Sequence, residues 1–218
     1  MTEENIEVLN QLFGNEEKTE KDEIVCVVDR SGSMGSICSD AEGGLNAFIE
    51  EQKDVEGGAN LTLVEFDTAY NVVYDRIDIN EAAPYTLKPR GSTALLDAIG
   101  QAINTVADTN GKKIIVIVTD GGENSSKEYT KDQITSLITE KQDQGWEFIF
   151  LAANQDAIAV AGDYGIDTRN AVNFAATGDG AQEGYAAVAT YTTSLRTKSK
   201  LDALNDLESI KAVFDNIS

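Results

Sequence analysis

Apolar positions along the chain fall into two rhythms, and the rhythms alternate. Ile24-Val25-Cys26-Val27-Val28, Ile114-Ile115-Val116-Ile117-Val118 and Phe148-Ile149-Phe150-Leu151-Ala152 are unbroken apolar runs of strand length. Such runs read as strands buried on both faces, as in a parallel sheet covered by helices. Between them the spacing changes to that of a helix. Leu45, Phe48 and Ile49 share one face of a segment from about Ser39 to Lys53. Leu95, Leu96, Ile99, Ile103 and Val106 repeat after Gly91-Ser92-Thr93, and Ile134, Leu137 and Ile138 repeat between about Lys131 and Gln144. Residues 60–67 and 71–75 flank the turn Asp67-Thr68-Ala69-Tyr70, which predicts an antiparallel hairpin. A short helix containing Ile158 and Val160 and a last strand over 170–175 follow.

From Gly180 onward the chain reads as helix. Tyr185, Val188, Thr192 and Leu195 make one face. After a polar break at Thr197-Lys198-Ser199-Lys200, Leu201, Leu204, Leu207, Ile210 and Phe214 make another. At the other end Ile6, Leu9, Leu12 and Phe13 are spaced for a short amphipathic helix within a charged segment. The expected organisation is an acidic N-terminal segment (1–21), a main domain (22–196) and a C-terminal helix (197–218) packed on it or extending it. Alternating strands and helices predict an α/β domain in three layers, its sheet mostly parallel with one antiparallel edge strand.

The candidate chemistry lies where the apolar runs end. The first run is followed at once by Asp29-Arg30-Ser31-Gly32-Ser33-Met34. Alternate spacing in an extended loop points Asp29, Ser31 and Ser33 to one place, and their oxygens suit a hard cation such as Mg²⁺, Mn²⁺ or Ca²⁺. The second run ends in Thr119-Asp120-Gly121-Gly122. An ordinary turn accounts for Asp-Gly-Gly, but Asp120 also leaves the carboxyl end of a central strand, where ligands of open α/β sheets collect. Thr93 stands at an expected helix start, where an N-cap belongs.

Asp-x-Ser-x-Ser after a first strand, then Thr93, then Asp120, resembles the metal-ion-dependent adhesion site of von Willebrand factor A (vWA) domains. The resemblance extends over roughly 22–178. It implies a Rossmann-like vWA fold and a site in which Asp29, Ser31, Ser33, Thr93 and Asp120 hold Mg²⁺, with Mn²⁺ or Ca²⁺ as alternatives. It also implies a protein partner that supplies a Glu or Asp to the cation, and no catalysis. Thr93 is open to both roles, ligand and cap, with Ser92 able to take the cap. Two other functions use the same residues: a scaffold whose metal is only structural, and a metal-dependent phosphohydrolase. The second lacks the Asp-x-Asp of haloacid dehalogenase-type enzymes, since Ser31 stands in third place. Nucleotide-binding loops are not matched either: Gly32-x-x-Gly35 is no dinucleotide fingerprint and Gly111-Lys112-Lys113 lacks the Ser or Thr of a P-loop.

Composition narrows the partners. The chain has 218 residues, with 38 Asp and Glu against 17 Lys and Arg, no His, and a formal net charge of −21. That balance opposes nucleic acid and anionic membranes, and the lack of His removes serine-triad and zinc–histidine chemistry. It also sets a tension, because a partner bearing the expected acidic finger is repelled unless the finger stands on a basic surface. No apolar run is long enough to span a membrane, and the acidic opening Met1-Thr2-Glu3-Glu4 is unlike a secretory signal. With only Cys26 and Cys38, no disulfide framework is expected. The chain reads as cytoplasmic, in the style of intracellular bacterial or bacteriophage vWA proteins.

Overall fold

The computed structural model describes residues 20–153, 157–175 and 178–215. The helix expected over residues 6–13, the stretch 154–156 and the Phe214 side chain lie outside that description. Six strands form one sheet: β1 Asp22–Asp29, β2 Ala59–Phe66, β3 Tyr70–Asp78, β4 Lys113–Thr119, β5 Glu147–Ala153 and β6 Ala171–Phe174. Their order is β3-β2-β1-β4-β5-β6. All neighbours are parallel except β2 and β3, which form the expected hairpin.

Period-two alternation divides the core into two layers. Ile24, Cys26 and Val28 of β1 face one side, with Ile114, Val116 and Val118 of β4 beside them. That side is covered by α1 (Cys38–Lys53), α5 (Gly178–Thr197) and α6 (Lys200–Asp215). Val25 and Val27 face the other side, under α2 (Leu95–Thr105), α3 (Lys131–Asp143) and α4 (Ala157–Asp163). The result is the three-layer α/β/α arrangement. On the first side α1 and α5 touch closely: a Cβ at Gly44 would lie 2.1 Å from Tyr185 Cδ2. Only a residue without a side chain lets that aromatic ring sit on the helix backbone.

The last helices are tied to the sheet by two cations, the buried Arg196 and the more exposed Lys112. Arg196 donates to Gln52 O and Gly58 O, both at 2.8 Å, and to Asp22 Oδ2 at 3.1 Å. Lys112 Nζ donates to Arg196 O (3.2 Å) and Lys198 O (3.3 Å), the orphan carbonyls at the end of α5. The face of α6 differs from expectation. Ala203, Leu204 and Leu207 are buried, but Leu201 is 67% exposed. Rotation about α6 centres its buried face on Ala203 and Leu207, which turns Leu201 to the solvent side.

What positions the site is the strand order. β1 sends one connection through α1 to β2 on one side; the chain later returns to β4 on the other. The carboxyl ends of β1 and β4 therefore flank the point where the winding reverses, the place where open α/β sheets bind ligands.

Candidate metal centre at the carboxyl edge

Asp29 closes β1 and is fully buried. Its carboxylate accepts from Ser31 N–H at 2.6 Å and from the Thr119 hydroxyl at 2.7 Å, which couples the ends of β1 and β4. Ser31 Oγ lies 2.9 Å from Ser33 Oγ, and Ser33 Oγ donates to Asp120 Oδ1 at 2.7 Å. Four of the expected residues thus form one chain of short polar contacts. Thr93 joins it at Gly121: the Cβ position there lies 3.4 Å from both Ser33 Oγ and Thr93 Oγ1. Among the described residues Thr93 Oγ1 meets no hydrogen-bond partner of its own.

The convergence has a different origin from the extended alternation expected. Gly32–Ser36 is a 3₁₀ helix, started by Ser31 in an extended conformation (φ −57°, ψ 164°). The turn that opens there, and not an extended loop, brings Ser33 Oγ to Ser31 Oγ. Thr93 also differs from its reading as a cap. The helix begins at Leu95; its N-cap position is Ala94, which has no capping side chain. Neither Thr93 nor Ser92 takes that role, so the Thr93 hydroxyl is left for the site.

The cap comes instead from the Asp120 loop. Glu123 Oε2 accepts from Leu96 N–H at 3.0 Å, and Ser126 Oγ accepts from Asp97 N–H at 3.1 Å. Glu123 Oε1 also takes the N–H groups of Ser125 (2.8 Å) and Ser126 (2.7 Å). Asn124 accepts from Thr93 N–H and donates its own N–H to Thr93 O, both at 3.0 Å. Asp97 returns the favour to the loop by accepting from Lys127, Glu128 and Tyr129 N–H. These contacts lock the Thr93 and Asp120 segments into one body. Sequence reasoning missed them, because an acceptor some thirty residues away leaves no local pattern.

A second missed group holds the Thr93 segment against β1. Arg30 is buried and pairs with Glu65 and, through Nε at 2.9 Å, with Asp67 Oδ2. Arg90 Nε reaches the same Asp67 oxygen at 2.6 Å. Glu65 also accepts from Tyr85 OH and Asn71 Nδ2, each at 2.8 Å. Backbone bonds finish the junction: Arg90 N–H to Arg30 O at 2.7 Å, and Gly32 N–H to Gly91 O at 3.0 Å. Gly91 has φ +72°, and a Cβ there would press on Asp67 Cβ at 3.2 Å, so the bend needs glycine.

Burial shifts both carboxyl groups of the site in the same direction. Burial pushes the Asp29 carboxyl above its usual pKa, against the hydrogen bonds from Thr119 and Ser31, and the charge of Asp120 adds to the rise. Burial raises Asp120 as well, opposed by the Ser33 hydroxyl. The nearest buried guanidinium, Arg30, turns away to Glu65 and Asp67. Two crowded acids with no cationic side chain between them, ringed by three hydroxyls, are a donor set that fits a hard divalent cation. Among the described residues no three His, Cys, Asp or Glu gather as an alternative metal cage.

The sheet order, the helices on both faces and the loops at this edge make the fold that of a vWA domain. Residues 24–123 match the family model described as von Willebrand factor type A domain. No curated protein matches the chain. Among solved structures, a von Willebrand factor type A protein from Catenulispora acidiphila is similar at 17% identity and a TM-score of 0.60, over 80% of this chain and 43% of that one. Proximal thread matrix protein 1 from the mussel byssus, with a zinc-occupied MIDAS motif, is similar at 14% identity and 0.62, over 79% and 46%. Manganese-loaded TRAP protein from Plasmodium vivax is similar at 15% and 0.54, over 76% and 72%. The chain spans less than half the length of the first two.

Proposed function

We propose that this chain is a vWA-family module that binds a partner protein through a divalent cation. Asp29, Ser31, Ser33, Thr93 and Asp120 would hold the cation, Mg²⁺ first and Mn²⁺ or Ca²⁺ as alternatives. The observation that carries the reading is the meeting of three loops: Ser33 Oγ bonded to Asp120, beside Ser31 Oγ, with Thr93 Oγ1 at the same distance from the Gly121 Cβ position. Structures of the same fold named for a zinc-occupied MIDAS motif and for manganese loading support it. Bound there, the cation supplies an electrophilic attachment point for a partner Glu or Asp. The chain's part is positional: the 3₁₀ turn presents Ser31 and Ser33, the Thr119 bond fixes Asp29 against β4, and the Glu123 cap fixes Thr93 against Asp120. Neutral hydroxyls make up much of the donor set, which leaves positive charge for a partner acid to neutralise.

The role is binding rather than catalysis. A hydrolase built on Asp29 needs a general acid two residues on, and Ser31 there donates only to its neighbours. A cytoplasmic setting fits the two unpaired thiols, Cys26 buried and Cys38 half-buried. Among the described residues no helix is long and apolar enough to cross a membrane.

Thermal melts of wild type and Asp29→Ala, in EDTA and in Mg²⁺, Mn²⁺ or Ca²⁺, test the site. A ligand bound only by the native state stabilises by about 2.7 kcal/mol at a hundredfold excess over Kd. Wild type is expected to gain a metal-dependent rise that Asp29→Ala lacks. Equal melts under all conditions would show a fold without a working site.

A further inference from the structure

The charge at the rim of this edge runs against the charge of the molecule. Elsewhere among the described residues, cationic side chains end on acceptors of the protein itself. Arg76 pairs with Glu23, Lys131 with Asp163, Arg169 with Asp167 and Lys200 with Glu147, while Lys112 and Lys211 cap backbone carbonyls. Lys88 and Lys127 are exposed and meet no acceptor, and both stand on the loops that carry the site. Between them in sequence, Arg90 is spent only in part. Its Nε is fixed on Asp67, its side chain is 64% exposed, and its two terminal amino groups meet no acceptor among the described residues. Of the acids around it, Glu123 and Asp97 are filled by backbone N–H groups and Asp67 by two arginines, while Glu128, beside Lys127, is exposed and accepts from Gln101.

We infer that this edge binds an acidic protein segment at two points, one carboxylate on the cation and a second on the open fork of Arg90, with Lys88 and Lys127 adding to the local field. The inference rests on the adhesion reading above and names its partner class. A guanidinium edge matches a carboxylate with two parallel hydrogen bonds. Arg90 is already aimed by its bond to Asp67, a post held in turn by Arg30 and Ala69 N–H. It also sits directly on the metal loop, since its N–H donates to Arg30 O and the next residue's carbonyl accepts from Gly32. The net charge of −21 does not forbid such a partner. Screening over about 8 Å at physiological salt leaves the local cations in control at contact distance. The partner proposed here is acidic at the contact, where composition alone favours a basic surface around the acidic finger.

The test is a selection from a random linear peptide library on wild-type protein in excess Mg²⁺ or Mn²⁺, with bound peptides released by EDTA. The released peptides are expected to carry two acids close together in sequence. The strongest is then synthesised with and without the second acid, and both are titrated against wild type, Arg90→Gln and Asp29→Ala. Arg90→Gln should weaken the two-acid peptide about fivefold and leave the one-acid peptide unchanged; Asp29→Ala should lose both. Metal-dependent peptides with a single acid, or equal loss of both peptides in Arg90→Gln, overturn the second anchor and leave the metal reading standing. No EDTA-released peptide at all overturns the adhesion reading and this inference together. If Arg90→Gln loses its metal-dependent melt, Arg90→Lys, which keeps a cation beside Asp67 but lacks the planar fork, carries the same comparison.

Discussion

Asp29 and Asp67 are both buried acids at the carboxyl edge, and their surroundings push them in opposite directions. Asp29 has hydroxyl and N–H donors but no cation, and its pKa rises. Asp67 is pushed up by burial too, but the hydrogen bonds from Arg90 and Ala69 and the charges of Arg30 and Arg90 outweigh that and lower it. The first pattern leaves room for a metal; the second is a structural ion pair. Since the folded pKa of Asp67 lies below an unfolded value of about 3.9, its contribution is complete above that pH. It is lost as pH falls towards the folded value. Asp67→Asn should cost about 3 kcal/mol near neutrality, as removing one partner of a buried ion pair does. Urea melts in a pH series should show the gap between variant and wild type closing as pH drops below about 4. Asp29 was legible in the sequence because its hydroxyl neighbours follow at fixed spacing. Asp67 read as part of an ordinary turn, since its partners Arg30 and Arg90 lie in other loops.

At the scale of elements, α2 shows how an isolated segment misleads. Its apolar repeat marks the helix, and Thr93 is a plausible cap by type and place. The helix begins two residues later and borrows its cap from Glu123 and Ser126. That arrangement frees Thr93 and welds two site loops together. Glu123→Ala removes acceptors from Leu96, Ser125 and Ser126 N–H and should cost about 1–2 kcal/mol. The metal-dependent rise in melting temperature should shrink in the same variant, because Thr93 and Asp120 lose their common brace. An unchanged metal shift in calorimetry would mean that the two loops hold their places without it. The capping box of α3, with Thr130 accepting from Gln133 N–H, is the local counterpart. There the residue pattern does announce the helix start, because both partners lie within one turn.

At the scale of the whole molecule, the dominant quantity is charge. A net charge of −21 on 218 residues repels itself and draws cations to the surface. Raising salt from about 10 mM to 150 mM shortens the screening length from about 30 Å to about 8 Å. In EDTA the melting temperature should therefore rise with salt. In Mg²⁺ the increment due to metal should fall, since the same screening weakens the field that concentrates the ion. Differential scanning calorimetry at both salt levels, with and without metal, checks the two opposed trends; parallel trends would separate the site from the molecular field. Burial sets the other global feature: the Cys26 thiol, fully enclosed, is pushed up to about 12 and stays an inert core group.

The sequence by itself determined the elements and most of their order. An unbroken apolar run such as 114–118 is stable only between two covering layers, so three layers, parallel strands and a hairpin at the edge follow from the pattern. It also determined which oxygens gather after β1, because Asp29, Ser31 and Ser33 are close neighbours in the chain however that loop bends. Tertiary structure decided what neighbours in the chain cannot. Folding joins Thr93 to the Asp120 loop through Glu123 and Asn124, sets Arg30 and Arg90 on one carboxylate, and turns the face of α6 so that Leu201 is outside. It also leaves Lys88 and Lys127 unpaired beside the site. These outcomes depend on groups brought together across twenty or more residues, where no periodicity records the pairing.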